Sequence, residues 1–86
     1  MDIIYTPHFA RLYKKLPMEV KLSAEKMEKI FRKDPFDSRL ATHKLHGRFK
    51  SLWAFSINKQ CRIIFEFNKD TRVYFHAVGD HDIYDF

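Results

Sequence analysis

One set of histidines and cations in this chain has the right chemistry for handling a phosphodiester. His43, Lys44, His46, Arg48 and Lys50 fall close together, Arg62 comes a little further on, and His81 follows Gly79 near the end of the sequence. Cleaving RNA requires a proton taken from a ribose 2′-OH, charge stabilisation of a crowded phosphorane, and a proton given to the departing 5′-oxygen. Imidazole titrates near neutral pH and serves both transfers, while guanidinium matches the geometry of phosphate oxygens. Taken singly these residues are ordinary. His8 and His76 read as structural or solvated, His46 reads either way, and a lone His43 or His81 would be a surface residue more often than not. The joint pattern is what singles them out.

Other chemistries fit poorly. With only Gly47 and Gly79, the chain has no glycine loop to cradle a nucleotide. No G-x-S-x-G occurs, and Cys61 falls in a predicted strand with no helix N-terminus to lower its pKa, so it reads as core. A metal site would draw on His43, His46, His76 and His81. The His43 and His46 spacing chelates only on a helix, which Lys44 and Gly47 oppose. Neither a metal nor a cofactor is expected.

The elements that position these groups follow from periodicity. Ile3, Ile4 and Tyr5 read as a short opening strand, and Thr6 with Pro7 supplies a helix N-cap and a proline at the first helical position. Phe9, Leu12, Tyr13 and Leu16 make one apolar stripe, and Pro17 interrupts that helix. A second helix to about Arg32 carries Val20, Ala24, Met27 and Phe31 inward, with Glu25–Lys29 and Glu28–Arg32 pairs outward. Asp34-Pro35-Phe36-Asp37-Ser38 is turn chemistry that ends it by Lys33. A connection runs on to Arg48. Strands are then predicted over 52–58, 61–67 and 72–78, turning at Lys59-Gln60 and Lys69-Asp70. Trp53, Phe55 and Ile57 share one face, as do Ile63, Phe65 and Phe67, with Arg62, Ile64 and Glu66 on the other. The expected class is α+β, in the order β-α-α-β-β-β: an antiparallel meander packed against an N-terminal helical hairpin. In such a meander the approach to the first strand and the exit of the third lie within reach of each other, which lets the imidazoles and cations share one cleft.

At 86 residues, 1–86 is one domain. An apolar fraction of 45% with nine Phe fills a small core and sets disorder aside. One cysteine excludes an internal disulfide and fits a reducing compartment. The N-terminus lacks a basic region followed by an apolar run, and no stretch is long and apolar enough for a membrane span. A soluble, cytoplasmic protein with no membrane partner is expected. The net charge of +5 is unevenly placed: six basic residues and no carboxylate lie between Ser38 and Phe65, while Asp80, Asp82 and Asp85 crowd the end. A cationic middle suits RNA or an acidic protein partner, and an ordinary solvated surface is the plainer alternative.

Asp34-Pro-Phe-Asp-Ser-Arg-Leu, then Thr42-His-Lys-Leu-His-Gly47, Leu52-Trp-Ala-Phe-Ser-Ile-Asn58, Arg62-Ile-Ile-Phe65 and Gly79-Asp-His-Asp82 together resemble the RelE/ParE toxin superfamily over nearly the whole chain. Within it the chain is similar to the YoeB-like and YafQ-like branches. The resemblance implies a toxin of a type II toxin-antitoxin pair, a ribosome-associated mRNA endoribonuclease that inhibits translation and is held by a cognate antitoxin. It also implies site roles. His43 stands where YafQ-like toxins carry a catalytic histidine and YoeB-like ones a glutamate. Arg62 matches the phosphate-stabilising arginine, and His81 the proton-transfer histidine of the C-terminal Gly-x-His. The family aromatic four residues beyond that histidine is replaced by Asp85, leaving Tyr84 and Phe86 on either side. A second YafQ-type histidine is absent, Ser56 and Ile57 taking its strand. Tyr84 is expected at the reacting strand with His43, Arg62 and His81. Lys44, His46, Arg48, Lys50 and Phe86 are expected to bind RNA. Two alternatives stay open: a ParE-like inhibitor of DNA gyrase without nuclease activity, and an inactive binding module.

Overall fold

In the computed structural model, which describes residues 1–69, 71–80 and 83, the chain runs β1 (Asp2–Tyr5), α1 (Pro7–Lys14), α2 (Met18–Lys33), β2 (His43–Lys44), β3 (Trp53–Ser56), β4 (Arg62–Asn68) and β5 (Arg72–Gly79). Short 3₁₀ turns occupy Ser38–Leu40 and Gly47–Phe49. The expected β-α-α-β-β-β order is present, with β2 added inside the segment read from sequence as a plain connection.

Each boundary has a local cause. The Thr6 hydroxyl accepts from the Phe9 amide at 3.1 Å and caps α1, with Pro7 at the first helical position. Pro17 caps α2 through its carbonyl alone, which accepts from Val20 and Lys21. At the far end Asp34 is extended, as a residue before proline prefers, and its carboxylate accepts from the Phe36 amide at 2.9 Å.

The sheet has five strands in the order β1-β5-β4-β3-β2. β2 through β5 pair antiparallel, but β1 joins β5 in parallel, Asp2 opposite Arg72 and Tyr5 opposite Phe75, so the sheet is mixed and not a pure antiparallel meander. β5 would otherwise end the sheet with an unpaired edge. β1 covers it, and the Thr6 amide extends the contact by donating to the Phe75 carbonyl at 3.2 Å.

Register assigns the faces. Phe55, Ile63, Phe65, Val73, Phe75 and Val78 meet the helices, where Phe9, Ala24 and Phe31 are buried. Phe31 is fully buried, its ring 4.7 Å from Phe55 and 4.9 Å from Phe65. Ala54, Ile64 and Ala77 point the other way and are covered by Leu45 and Ile83, with Phe49 and Leu52 alongside. One irregularity sits in β5. Ile64 pairs with Ala77 and Phe65 with Phe75, so His76 is an extra residue, a β-bulge. Its Nε2 donates to the Glu66 carboxylate at 2.9 Å and its ring stacks on Tyr74, placing it on the face away from the helices.

Replacing Phe31 by Ala removes the ring that three sheet aromatics enclose, and such deletions cost about 3–5 kcal/mol. Urea denaturation of Phe31→Ala is expected to show that loss as a lower midpoint with an unchanged slope.

Candidate functional site

Directly opposed residues in a sheet project to the same side. Two neighbouring rows therefore lie on the face away from the helices. The first is His43, Ala54, Ile64 and Ala77; the second is Ser56, Arg62 and Gly79. His43 and Arg62 thus share one face, two strands and one row apart, roughly 12 Å between Cα atoms from strand spacing and rise. A phosphodiester and its ribose fit between side chains of that reach.

His43 is exposed, and its Nδ1 lies 3.1 Å from the Ala41 carbonyl oxygen. A carbonyl only accepts, so Nδ1 carries the hydrogen in this contact, and in the neutral imidazole Nε2 is then the nitrogen that can accept a proton, as a general base must. Ala41 itself has φ 51 and ψ 40, a left-handed conformation that costs a non-glycine residue about 1 kcal/mol or more. That turn aims the carbonyl at the imidazole. The Thr42 hydroxyl donates to the Pro35 carbonyl and moors the same segment to the turn after α2.

Arg62 is partly buried and forms no ion pair among the described residues. It lines a pocket of about 340 Å³ with Met27, Arg39, Ser56, Asn58 and Lys59. Nearby Cys61 is half-buried just before β4. Burial pushes its thiol up, the Asp80 charge adds to this, and a thiolate is not available for chemistry.

The other expected residues divide by register and by turn. Lys44 opposes Trp53, so it lies on the helix-bearing side, its Nζ 6.0 Å above the Trp53 ring and separated by the sheet from His43 and Arg62. His46, Arg48 and Lys50 are exposed in and beside the 3₁₀ turn after β2, where Arg48 lies over the Phe49 ring at 4.8 Å. His81, Tyr84 and Phe86 lie outside the described residues. The two described residues that bracket 81 and 82 are tied together, the Ile83 amide donating to the Asp80 carbonyl at 3.2 Å. Ile83 is buried against the sheet. Gly79 makes that possible: its φ is +151, and a Cβ there would lie 2.6 Å from Ile83 Cγ2.

Ser56, Lys59 and Arg39 were not singled out as site residues from the sequence. The hairpin at Lys59-Gln60, extended by its own register, is the signal that places Ser56 opposite Arg62 and Lys59 just beyond. A larger concavity, about 1010 Å³, lies between α1 and α2 on the opposite face, lined by Tyr5, Phe9, Tyr13, Glu28 and Arg32 over Ile63. None of the residues that line it is a histidine.

No protein-family model matches the sequence, and no curated protein does. Solved structures do. The chain superposes on a YoeB/ParE toxin from Agrobacterium tumefaciens with a TM-score of 0.76 at 14% identity, covering 94% of this chain and 99% of that one. YafQ from E. coli gives 0.78 at 14% identity over 93% and 92%. YoeB in its complex with YefM from Staphylococcus aureus gives 0.77 at 14% identity over 94% and 97%. At these identities the likeness is one of fold, and the chain has the α+β fold of these toxins.

Two outcomes follow from the geometry. Gly79→Ala forces Ile83 off the sheet, and exposing such a side chain costs about 1.5–3 kcal/mol, so thermal denaturation is expected to show a clear loss of stability. Asp37 accepts from the Arg39 side chain at 2.9 and 3.0 Å and from the Arg39 amide at 2.9 Å, which lowers its carboxyl to about 2. Because the folded value is depressed, the contribution of this exposed pair is present above the ordinary carboxylate range and lost as pH falls toward 2. An NMR titration of Asp37 is expected to move back up toward 3.8 in Arg39→Ala.

Proposed function

We propose that this chain is one toxin domain of the RelE/ParE superfamily, on its YoeB-like and YafQ-like side, and that it is a metal-independent endoribonuclease acting on translated mRNA in the cytoplasm. The observation that carries this reading is the shared sheet face: a histidine whose Nδ1 is held by a carbonyl lies on the same face as a guanidinium that no carboxylate neutralises among the described residues. His43 takes the 2′-OH proton or assists in doing so, and Arg62 holds the two non-bridging oxygens as negative charge builds on phosphorus. His81 gives a proton to the departing 5′-oxygen, with Tyr84 stacking near the reacting strand. The products are a 2′,3′-cyclic phosphate and a 5′-hydroxyl. The stretch that supplies His43 and Arg62 carries no carboxylate from Ser38 to Phe65, which leaves Mg²⁺ without its preferred ligands there. Arg48, Lys50 and His46 on the rim, with Phe86, contact RNA or ribosome phosphates. Lys44, on the opposite side of the sheet, serves as a peripheral cation.

Solved relatives of this fold include E. coli YafQ with DinJ and S. aureus YoeB with YefM. By the same reading, an antitoxin with an acidic segment restrains this chain by lying over its cationic surface. Charge then steers the encounter, and the association rate falls as salt rises.

Primer extension on translated messages tests the activity. Wild-type protein is expected to cut them in the presence of EDTA at levels that leave the ribosome intact. His81→Ala and Arg62→Ala are expected to lose about 10²–10⁴-fold in cleavage rate with unchanged melting. Cleavage abolished by EDTA, or full toxicity of both variants, overturns the assignment, and failure of supercoiling without cut messages points to gyrase.

A further inference from the structure

We infer that the pocket at the end of the β3–β4 hairpin binds a second backbone phosphate of the RNA strand, next to the one that Arg62 faces. The inference rests on the endoribonuclease reading and adds a subsite to it. The pocket, about 340 Å³, lies between the hairpin, α2 and the 3₁₀ turn at Ser38–Leu40, and none of its lining residues is acidic. Three of them, Arg39, Lys59 and Arg62, are basic.

The three cations are not equivalent. Arg39 gives its Nε and Nη2 to Asp37, so the pair is neutral overall. That pairing orients the exposed guanidinium, and the fork still has N–H groups to offer. Lys59 and Arg62 have no carboxylate partner among the described residues and carry the net charge of the pocket. The Ser56 hydroxyl, opposite Arg62, also has no partner among the described residues and adds a short donor. Asn58 stiffens the turn under Lys59, its Oδ1 accepting from the Gln60 amide at 2.8 Å and the Cys61 amide at 2.7 Å.

Basic and hydroxyl donors lining one shallow depression suit a phosphate. Met27 offers an apolar wall for the attached ribose. Continuity decides in favour of nucleic acid over an acidic peptide. Arg62 belongs to both places, to the open face with His43 and to this pocket. A strand with its reacting phosphate at Arg62 therefore carries its neighbour toward Lys59 without changing direction. A helical or extended peptide needs a longer apolar groove than this one.

The test uses RNA oligonucleotides with a single 2′-deoxy sugar at the reacting position, which cannot be cleaved, in two lengths differing by one phosphodiester on the side of the pocket. Binding is followed by fluorescence anisotropy over a range of NaCl. Lys59→Gln is expected to weaken the longer oligonucleotide roughly tenfold, and to reduce the slope of log affinity against log salt by about 0.7, the share of one phosphate on a single strand. The shorter one is expected to bind wild type and variant alike, and Lys59→Arg to restore the difference. Amide resonances of Ser56 and Lys59 are expected to move on titration with inorganic phosphate. Equal binding and equal salt slopes for wild type and Lys59→Gln overturn the inference, as does no binding by wild type at low salt. A variant that instead loses only an acidic peptide overturns it by assigning the pocket to a protein partner. The readout does not depend on cleavage. A length-dependent loss with no cut messages supports the subsite while removing the nuclease reading, and cut messages with no Lys59 effect do the reverse.

Discussion

β4 is buried on both of its sides at three successive residues, Ile63, Ile64 and Phe65, and the rest of the molecule is arranged around that requirement. An antiparallel strand usually turns one face to the core and the other to water. Here each face needs its own cover. The helices cover one, with Phe9, Ala24 and Phe31 set into the sheet aromatics. The other is closed by Leu45, Phe49 and Leu52 from the β2–β3 connection and by Ile83 from the C-terminal end, with Leu12 of α1 the one described α-helix residue packed against it. That second cover is small. Arg62, one row beyond it, is only partly buried, and a polar site forms where the apolar cover runs out.

The bulge at His76 is what lets β5 serve both covers. Strict alternation from Val73 and Phe75 would send residue 77 toward the helices. The extra residue shifts the phase, so Ala77 joins Ile64 on the open side, Val78 returns to the helix side, and Gly79 comes to rest opposite Arg62. Gly79 then accepts Ile83 directly against its backbone, a close approach that any side chain would block. The Glu66 contact to His76 and the Thr6 contacts near Phe75 hold the shifted segment from either side. Strand phase, one glycine and one isoleucine together bring the residues flanking 81 and 82 onto the face that carries Arg62.

Much of this was legible in the residues. The stripe from Phe9 to Leu16, the break at Pro17, the turn at Asp34-Pro35 and the alternation of Trp53, Phe55 and Ile57 specify their elements locally. What was not legible depends on partners distant in sequence. β2 is two residues long, and His43 and Lys44 become a strand only because β3 has an edge to offer. β1 carries nothing in its own residues that distinguishes a parallel from an antiparallel neighbour. The bulge replaces no turn residue and breaks no propensity, so it shows only in the pairing. Of the candidate site, the placement of Arg62 on the face opposite Ile63 and Phe65 was readable, but the face of His43 and the separation of Lys44 from it need β2 to exist, since in a loop adjacent side chains have no fixed opposition.

That separation bears on how charge should be read in a sheet protein. Six cations without a carboxylate between Ser38 and Phe65 look like one basic face. A strand, however, sends successive residues to opposite sides, so a run of cations through β-structure is divided between the two faces. Long-range attraction of a polyanion depends less on the division than contact does, because the net positive charge of the chain acts on approach from either side. Only side chains on one face, or at turns that lead onto it, can hold the same polyanion strand; under the proposed endoribonuclease reading these are Arg62 from within the sheet, Arg48 and Lys50 from the turn before β3, and Lys59 from the turn after it. On that reading the first encounter follows from composition and the bound register from strand phase.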